Sequence, residues 1–273
     1  MPPLPDGFEL LEAPAVRAAV RATVKDELLA LGVLDKAKLE ESRAAGRLIG
    51  SGRGGAASVT LEPEGGGRAV IRHCRRAGPL GRILGDKYLF GARPMEELAV
   101  CEAARAAGVP APECLAAVVH RAGPFYSGDL IAREVPDAVT LDAWLRDGPA
   151  PGSVRAAADV FADAFARLAA AGIYHPDLHA GNVLLRENDA GLAVCIIDFD
   201  KAKLLDPLPA ALRDRMLFRF NRALVKRSLA PRPVTLTARI RFCRRAGAAG
   251  AGEEMRGFAA RCSAHLKRHS WRY

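Results

Sequence analysis

Between His175 and Asp200 the chain sets three polar side chains at fixed spacings around what reads as a β-hairpin. The loop His175-Pro176-Asp177-Leu178-His179-Ala180-Gly181-Asn182 leaves four residues between Asp177 and Asn182, and Ile196-Ile197-Asp198-Phe199-Asp200 follows. Val183-Leu184-Leu185 and Leu192 to Ile197 read as short buried strands, with turn chemistry in Glu187-Asn188-Asp189-Ala190-Gly191 between them. Such a hairpin brings Asn182 and Asp198 side by side. Taken singly, each residue is commonplace: a turn Asp, a loop-capping amide, a strand-end carboxylate. Together and in this order they read H-x-D-x-x-x-x-N followed by D-F-x, the spacing of a phosphoryl-transfer site.

Phosphoryl transfer asks for little covalent help from protein. It needs an attacking hydroxyl held in line and cations to neutralise the phosphate oxygens. A loop carboxylate at Asp177 accepts the proton of that hydroxyl and is the expected catalytic base. Asn182 turns back to offer a neutral oxygen, and Asp198 offers a charged one. Mg²⁺ takes oxygen ligands, usually one or two carboxylates plus substrate phosphates, so Asn182 and Asp198 are the expected metal pair. His175 is expected to brace the loop by hydrogen bonds rather than titrate. Asp200 either assists the metal or caps the next turn.

A donor side is expected upstream. Gly50 to Leu61 reads as strand, glycine-rich turn and strand, with Gly52, Gly54 and Gly55 at the turn. Glycines let backbone N–H groups approach phosphate oxygens closely. A further strand, Arg68 to His73, carries Arg72 where kinase strands carry a Lys against the donor phosphates. The helix expected from Pro94 to Ala107 holds Glu97, which can pair with Arg72 and aim it; Glu96 competes for that role. Residues 75–93 form a basic segment, read either as a solvated loop or as a docking surface for an anionic acceptor.

Residues 11–46 place Val16, Val20, Val24, Leu28, Leu29 and Leu31 on one helical stripe, so 1–46 is expected to be a helical extension. Residues 47–136 make a first lobe ending in strands at 115–119 and 128–135. Glu134-Val135-Pro136-Asp137 reads as a hinge where adenine would meet backbone groups. Residues 137–273 make a second lobe. Thr140 caps a short helix, Ser153 caps a long apolar helix to Ala171, and Gly172 stops it. An Arg-rich helical tail closes the chain, including the basic run Asn221 to Ser228.

The formal net charge is +9, which points to an anionic partner. The six cysteines form no C-x-x-C or Cys/His metal spacing; Cys101 and Cys195 read as buried small hydrophobes, and a reduced, cytosolic compartment is expected. Met1-Pro2-Pro3-Leu4-Pro5-Asp6 lacks a basic start and an apolar signal core. No stretch approaches the roughly 20 apolar residues that span a bilayer. No repeat and no zinc or nucleic-acid motif is present.

The run from about Gly50 to Ser228 resembles the lipopolysaccharide kinase family, in its 3-deoxy-D-manno-octulosonic acid (Kdo) kinase branch. The resemblance rests on Ala69-Val70-Ile71-Arg72-His73-Cys74-Arg75-Arg76-Ala77-Gly78, on Asp86-Lys87-Tyr88-Leu89-Phe90-Gly91, on Gly108-Val109-Pro110-Ala111-Pro112, and on Tyr174 to Asn182 with Ile197-Asp198-Phe199-Asp200. The catalytic loop alone fits aminoglycoside-type phosphotransferases and other small-molecule kinases nearly as well. The Arg-rich strand end and the Asp-Lys-Tyr segment discriminate.

That resemblance implies an α+β, bilobal protein-kinase-like fold, with a small antiparallel-sheet N-lobe and a mainly helical C-lobe. It implies ATP and Mg²⁺, and as acceptor the Kdo residue of a lipid A precursor, an anionic glycolipid. It implies work at the cytoplasmic face of the inner membrane, with peripheral contact to anionic lipid and no nucleic acid. A protein kinase, another small-molecule kinase and a nucleotide-binding pseudokinase are the other readings. Arg72 departs from the usual Lys, although its permanently charged fork suits phosphate. Ala77 stands at an expected Gly and Cys74 at an expected aromatic. The family often has Asn at the position of His179 and His at that of Gly181.

Overall fold

The computed structural model describes residues 2–49, 56–61, 67–74, 88–89, 92–189, 191–230, 232–247 and 253–269. Gly52, Gly54 and Gly55, and most of the basic segment (75–87 and 90–91), lie outside the described residues. The chain divides into two compact units, 1–103 with 112–135, and 104–111 with 136–273.

The first unit is built on a seven-stranded antiparallel sheet. In chain order its strands are β1 (Phe8–Ala13), β2 (Val16–Arg21), β3 (Arg47–Ile49), β4 (Ala56–Thr60), β5 (Arg68–His73), β6 (Cys114–Ala122) and β7 (Phe125–Arg133). Their order across the sheet is β1-β2-β6-β7-β5-β4-β3. β5 alternates as a half-buried strand should: Ala69, Ile71 and His73 are buried, while Arg68 is exposed. Strand β6 is buried from Cys114 to His120, which is why its apolar run shows no period. Among the described residues, helices α1 (Lys25–Leu31), α2 (Lys36–Ala45) and α3 (Arg93–Ala106) accompany the sheet, with α3 running across the division. Tyr88 returns from the basic segment to bridge Tyr126, and the two rings stack at 5.3 Å.

The helical extension expected over 11–46 is corrected by β1 and β2. A spacing of four places Val16 and Val20 on one face in either a period-3.6 or a period-2 pattern, so the stripe did not discriminate. Pairing with β6 decides it, through Val16↔His120 and Val20↔Ala116. Arg17 is exposed, while Ala18, Ala19 and Val20 are all fully buried, as in a strand covered on both faces. Helix begins only at Lys25. There Leu28 is buried and Leu29 exposed, so the expected stripe breaks again. Leu28 and Leu39 join Val16, Val20, Ile71, Leu115 and Ile131 in one core, and residues 1–46 belong to the sheet unit.

One buried charge cluster ties α2 to this sheet. Asp129 Oδ1 meets His73 Nδ1 at 2.8 Å and Arg43 Nη1 at 3.1 Å, while His120 Nε2 stands 3.5 Å from Oδ2. Burial raises the pKa of Asp129, but bonds to His120 and His73 and the charges of His73 and Arg43 outweigh it, bringing it to about 2 from 3.8. The folded carboxyl is thus the stronger acid. Its stabilisation is complete above pH about 4 and is lost as pH falls from there towards 2, an effect of about 2 kcal/mol. Urea titrations between pH 5 and 2 should show that acid limb in the native chain. It should flatten in Asp129→Asn, and an unchanged limb would remove Asp129 as its source.

The second unit is mainly helical. It holds β8 (Val139–Thr140), α4 (Leu141–Arg146), α5 (Pro151–Ala170), β9 (Ile173–Tyr174), β10 (Val183–Asn188), β11 (Gly191–Ile196), β12 (Lys203–Leu204), α6 (Ala210–Lys226), α7 (Leu236–Arg245) and α8 (Glu253–His269). Thr140 caps α4 as expected, its Oγ1 accepting from Ala143 N. Ser153 does not cap α5. The helix opens three residues earlier, capped at Ala150, because Pro151 sits in its first turn, where a missing N–H costs nothing. Phe161 and Phe165 of α5 meet Phe242 of α7, with Phe161 also against Phe220 of α6. Beside this apolar face, Asp159 and Asp163 each take a bidentate guanidinium, from Arg241 and Arg245, at 2.6–2.7 Å. Part of the basic tail is therefore matched internally. No helix among the described residues is long and apolar enough to cross a membrane.

Candidate active site

The donor-side pair forms in the first unit. Arg72 lies on β5, and its Nη2 bonds Glu97 Oε2 on α3. The helix phase settles the choice between the two glutamates: Glu97 is buried and Glu96 exposed. An Arg held by a buried carboxylate keeps its fork in one orientation, at low entropic cost for each further hydrogen bond. Glu134, at the expected hinge, turns its carboxylate onto Ser58, Arg68 and Arg47 and so clamps β3, β4 and β5.

The catalytic loop and hairpin lie wholly in the second unit. Strands β10 and β11 pair in the register Val183↔Ile196, and Ile197 N donates to Asn182 O at 3.0 Å. That bond sets Asn182 beside the residue preceding Asp198, as the hairpin predicts. The side chain of Asn182 is buried, and its Nδ2 donates to the main-chain oxygen of Asp177 at 3.0 Å. With the amide nitrogen committed to that bond, Oδ1 is the atom of Asn182 that could serve a cation. Asp198 has φ +65°, a left-handed conformation that is uncommon for a residue with a Cβ. Non-glycine residues in that region cluster at functional sites. One carboxylate and one amide oxygen make a hard donor pair of the kind Mg²⁺ accepts when phosphates supply the rest.

His175 braces the loop. It is fully buried, and its Nε2 donates to Ile197 O at 3.1 Å. Its ring packs against Phe199, itself buried, at 5.3 Å. Burial holds the His175 pKa below 6.5, so the ring is neutral at pH 7. His179 caps the turn Ala180–Asn182, its Nδ1 accepting from Gly181 N at 3.0 Å. Asp200 opens the turn that follows, half-buried.

Asp177 is 58% exposed. Two basic side chains flank it: Arg219 Nη2 lies 3.6 Å from Oδ1, and His179 Nε2 lies 4.0 Å from Oδ2. Burial lowers the His179 pKa, so its ring is weakly charged at neutral pH and Arg219 is the permanent charge. Nearby, Arg227 pairs with Asp142 of α4 at 3.1 Å. The sequence reading missed Arg219. Its signal was the recurrence of Arg215, Arg219, Arg222 and Lys226 along one face of α6.

Residues 41–237 match the family model described as the lipopolysaccharide kinase (Kdo/WaaP) family. A 3-deoxy-D-manno-octulosonic acid kinase of Vibrio parahaemolyticus is 31% identical over 185 residues, 66% of this chain and 74% of that one. The kinase of the same description from Vibrio vulnificus is 32% identical over 167 residues, 59% of this chain and 68% of the relative. A solved structure of WaaP in complex with acyl carrier protein superposes with a TM-score of 0.59 at 18% identity, covering 84% of this chain and 91% of that chain. At that identity the likeness speaks for the fold, which is the α+β kinase-like architecture expected from the sequence. A match over most of the chain, with curated relatives about 30% identical, settles the affiliation: this chain belongs to the lipopolysaccharide kinase (Kdo/WaaP) family.

Proposed function

We propose that the chain is an ATP- and Mg²⁺-dependent kinase that phosphorylates a sugar hydroxyl, that of the Kdo residue of a lipid A precursor. The observation that carries this reading is the loop in which Asn182 is pinned to the main chain of Asp177 and tied through Ile197 to Asp198. Family membership supplies the acceptor class.

Each residue has a task in this reading. Asp177 orients the acceptor hydroxyl and takes its proton as the oxygen attacks the γ-phosphorus of ATP, whose bond to the bridging oxygen breaks to release ADP. Asn182 Oδ1 and the Asp198 carboxylate hold Mg²⁺, which when bound neutralises charge on the phosphate oxygens. Arg72, aimed by Glu97, contacts the donor phosphates, and the glycines Gly52, Gly54 and Gly55 cover them. In this reading residues 47–136 supply Arg72, Glu97 and the glycines on the donor side, and 137–273 supply the base and the metal pair. Lipid-borne Kdo places the work at the cytoplasmic face of the inner membrane. The net charge of +9 supports peripheral contact with anionic lipid there.

The test is turnover of ATP with a Kdo-bearing lipid A precursor, read as phosphate added to the lipid by mass spectrometry. Asp198→Ala separates the metal assignment from the acceptor assignment. Calorimetry should show Mg²⁺-dependent nucleotide binding in the native chain and its loss in the variant. Unchanged binding would remove Asp198 as a metal ligand. Phosphate on protein substrates with none on lipid would overturn the acceptor.

A further inference from the structure

We infer that Arg219 recognises the carboxylate of the acceptor sugar and thereby places the neighbouring hydroxyl on Asp177. The inference rests on the functional reading above and names the residue that makes it specific for an acidic sugar.

Three observations converge on Arg219. First, it is the permanent cation at the base, 3.6 Å from Asp177 Oδ1, and its side chain is 35% exposed. A half-exposed ion pair at this separation adds little stability, so the contact has no evident structural purpose. Second, the neighbouring guanidinium is otherwise engaged. Arg227 is paired with Asp142, and its Nη1 lies 3.2 Å from where a Cβ at Gly181 would stand. Arg227 and the His179 ring thus fill the room that the missing side chain leaves, and both serve the loop itself. Third, α6 buries Met216, Leu217, Phe220 and Leu224 on one face. That anchors the helix and fixes the opposite stripe, with Arg219 beside the base.

Distance limits the ligand. A hydroxyl oxygen sits about 2.7 Å from the carboxylate that accepts its proton, and an anionic oxygen about 2.8 Å from a guanidinium. With 3.6 Å between Asp177 Oδ1 and Arg219 Nη2, the hydroxyl and the anionic group of the acceptor lie at most about 9 Å apart, a limit that two groups on one sugar residue meet in any pose. A phosphate on the lipid backbone is at least one glycosidic link further away. A planar fork meeting a planar carboxylate gives two parallel hydrogen bonds, which fix orientation as well as affinity.

The experiment compares the native chain, Arg219→Gln, Arg219→Lys and the exposed-surface control Arg155→Gln. Substrates are the Kdo-bearing lipid, its carboxyl methyl ester, and the same lipid with its lipid A phosphates removed. The expected result is a roughly 10–100-fold rise in acceptor KM for Arg219→Gln, the size of a lost charge-assisted hydrogen bond, with the KM for ATP and the melting temperature unchanged. Arg219→Lys should recover part of the loss, and Arg155→Gln should behave as native. The native chain should discriminate against the ester, and Arg219→Gln should not. An unchanged acceptor KM in Arg219→Gln would overturn the inference alone, as would equal discrimination against the ester in both chains. Selective insensitivity of Arg219→Gln to phosphate removal would reassign Arg219 to the lipid phosphates. Failure of the native chain to phosphorylate the lipid at all would overturn the functional reading, and this inference with it.

Discussion

Replacing Asp177 with Ala should lower kcat by about 10²–10⁴, the usual loss when a positioned general base is removed. Stability should change little, within about 0.5 kcal/mol, because the carboxylate is largely exposed. The geometry makes this a clean experiment. Asn182 Nδ2 bonds the main-chain oxygen of Asp177 rather than its carboxylate, so the substitution leaves the loop's own hydrogen bond in place. Nucleotide binding should therefore persist while transfer fails. The measurement is steady-state turnover with acceptor alongside calorimetric nucleotide binding. Native-like turnover in Asp177→Ala would take the residue out of its role. Loss of nucleotide binding as well would show that the loop, and not only the base, had been disturbed.

The largest effect on stability is expected at Gly172. It follows the C-terminus of α5 with φ +73°, and a Cβ there would stand 1.8 Å from Leu205 O. Two costs add. A side chain resists the left-handed conformation, and a main-chain carbonyl cannot step aside as a flexible side chain can. The carbonyl is itself fixed, since Leu205 N donates to Gly172 O and Lys203 and Leu204 pair with Tyr174 and Ile173. Gly172→Ala should lower the free energy of unfolding by about 3–5 kcal/mol, read as a fall in the urea midpoint at unchanged slope. A native midpoint would show that this junction relaxes. The same junction holds together the two ends of the 175–200 segment, so surviving folded protein should also lose activity.

Legibility in the sequence followed the range of the interactions involved. The loop and hairpin around Asp177, Asn182 and Asp198 could be placed because a hairpin register and a five-residue spacing are local facts. The partner of Arg72 was narrowed to Glu96 or Glu97, and only the phase at which α3 meets the sheet buries one of them. Residues 8–21 were misread because the partner that makes β2 a strand is β6, far along the chain. Ser153 was misplaced as a cap because Pro151, a stronger starting signal, stands two residues before it. Arg219 belonged to no motif. Its meaning comes from a helix face that packing alone defines. The tail read as a basic surface turns two of its arginines onto Asp159 and Asp163, carboxylates that α5 spaces one helical turn apart.

The sheet order β1-β2-β6 has a consequence for how the chain is made. The hairpin of β1 and β2 leaves the ribosome before β6, and the inner edge of β2 pairs only with β6, about a hundred residues later. At translation rates of roughly 5–20 residues per second, that edge waits on the order of ten seconds for its partner. During the wait it is an unpaired row of donors and acceptors flanked by Val16, Ala18 and Val20, the kind of edge that pairs with other chains. The catalytic hairpin carries no such delay, because β10 meets β11 after a single turn. Nascent chains thus pass through a stage in which β2 presents an unpaired edge. Protection at that stage has to come from chaperones, from the charges of Glu9, Glu12 and Arg17 on the same hairpin, or from the speed of synthesis itself.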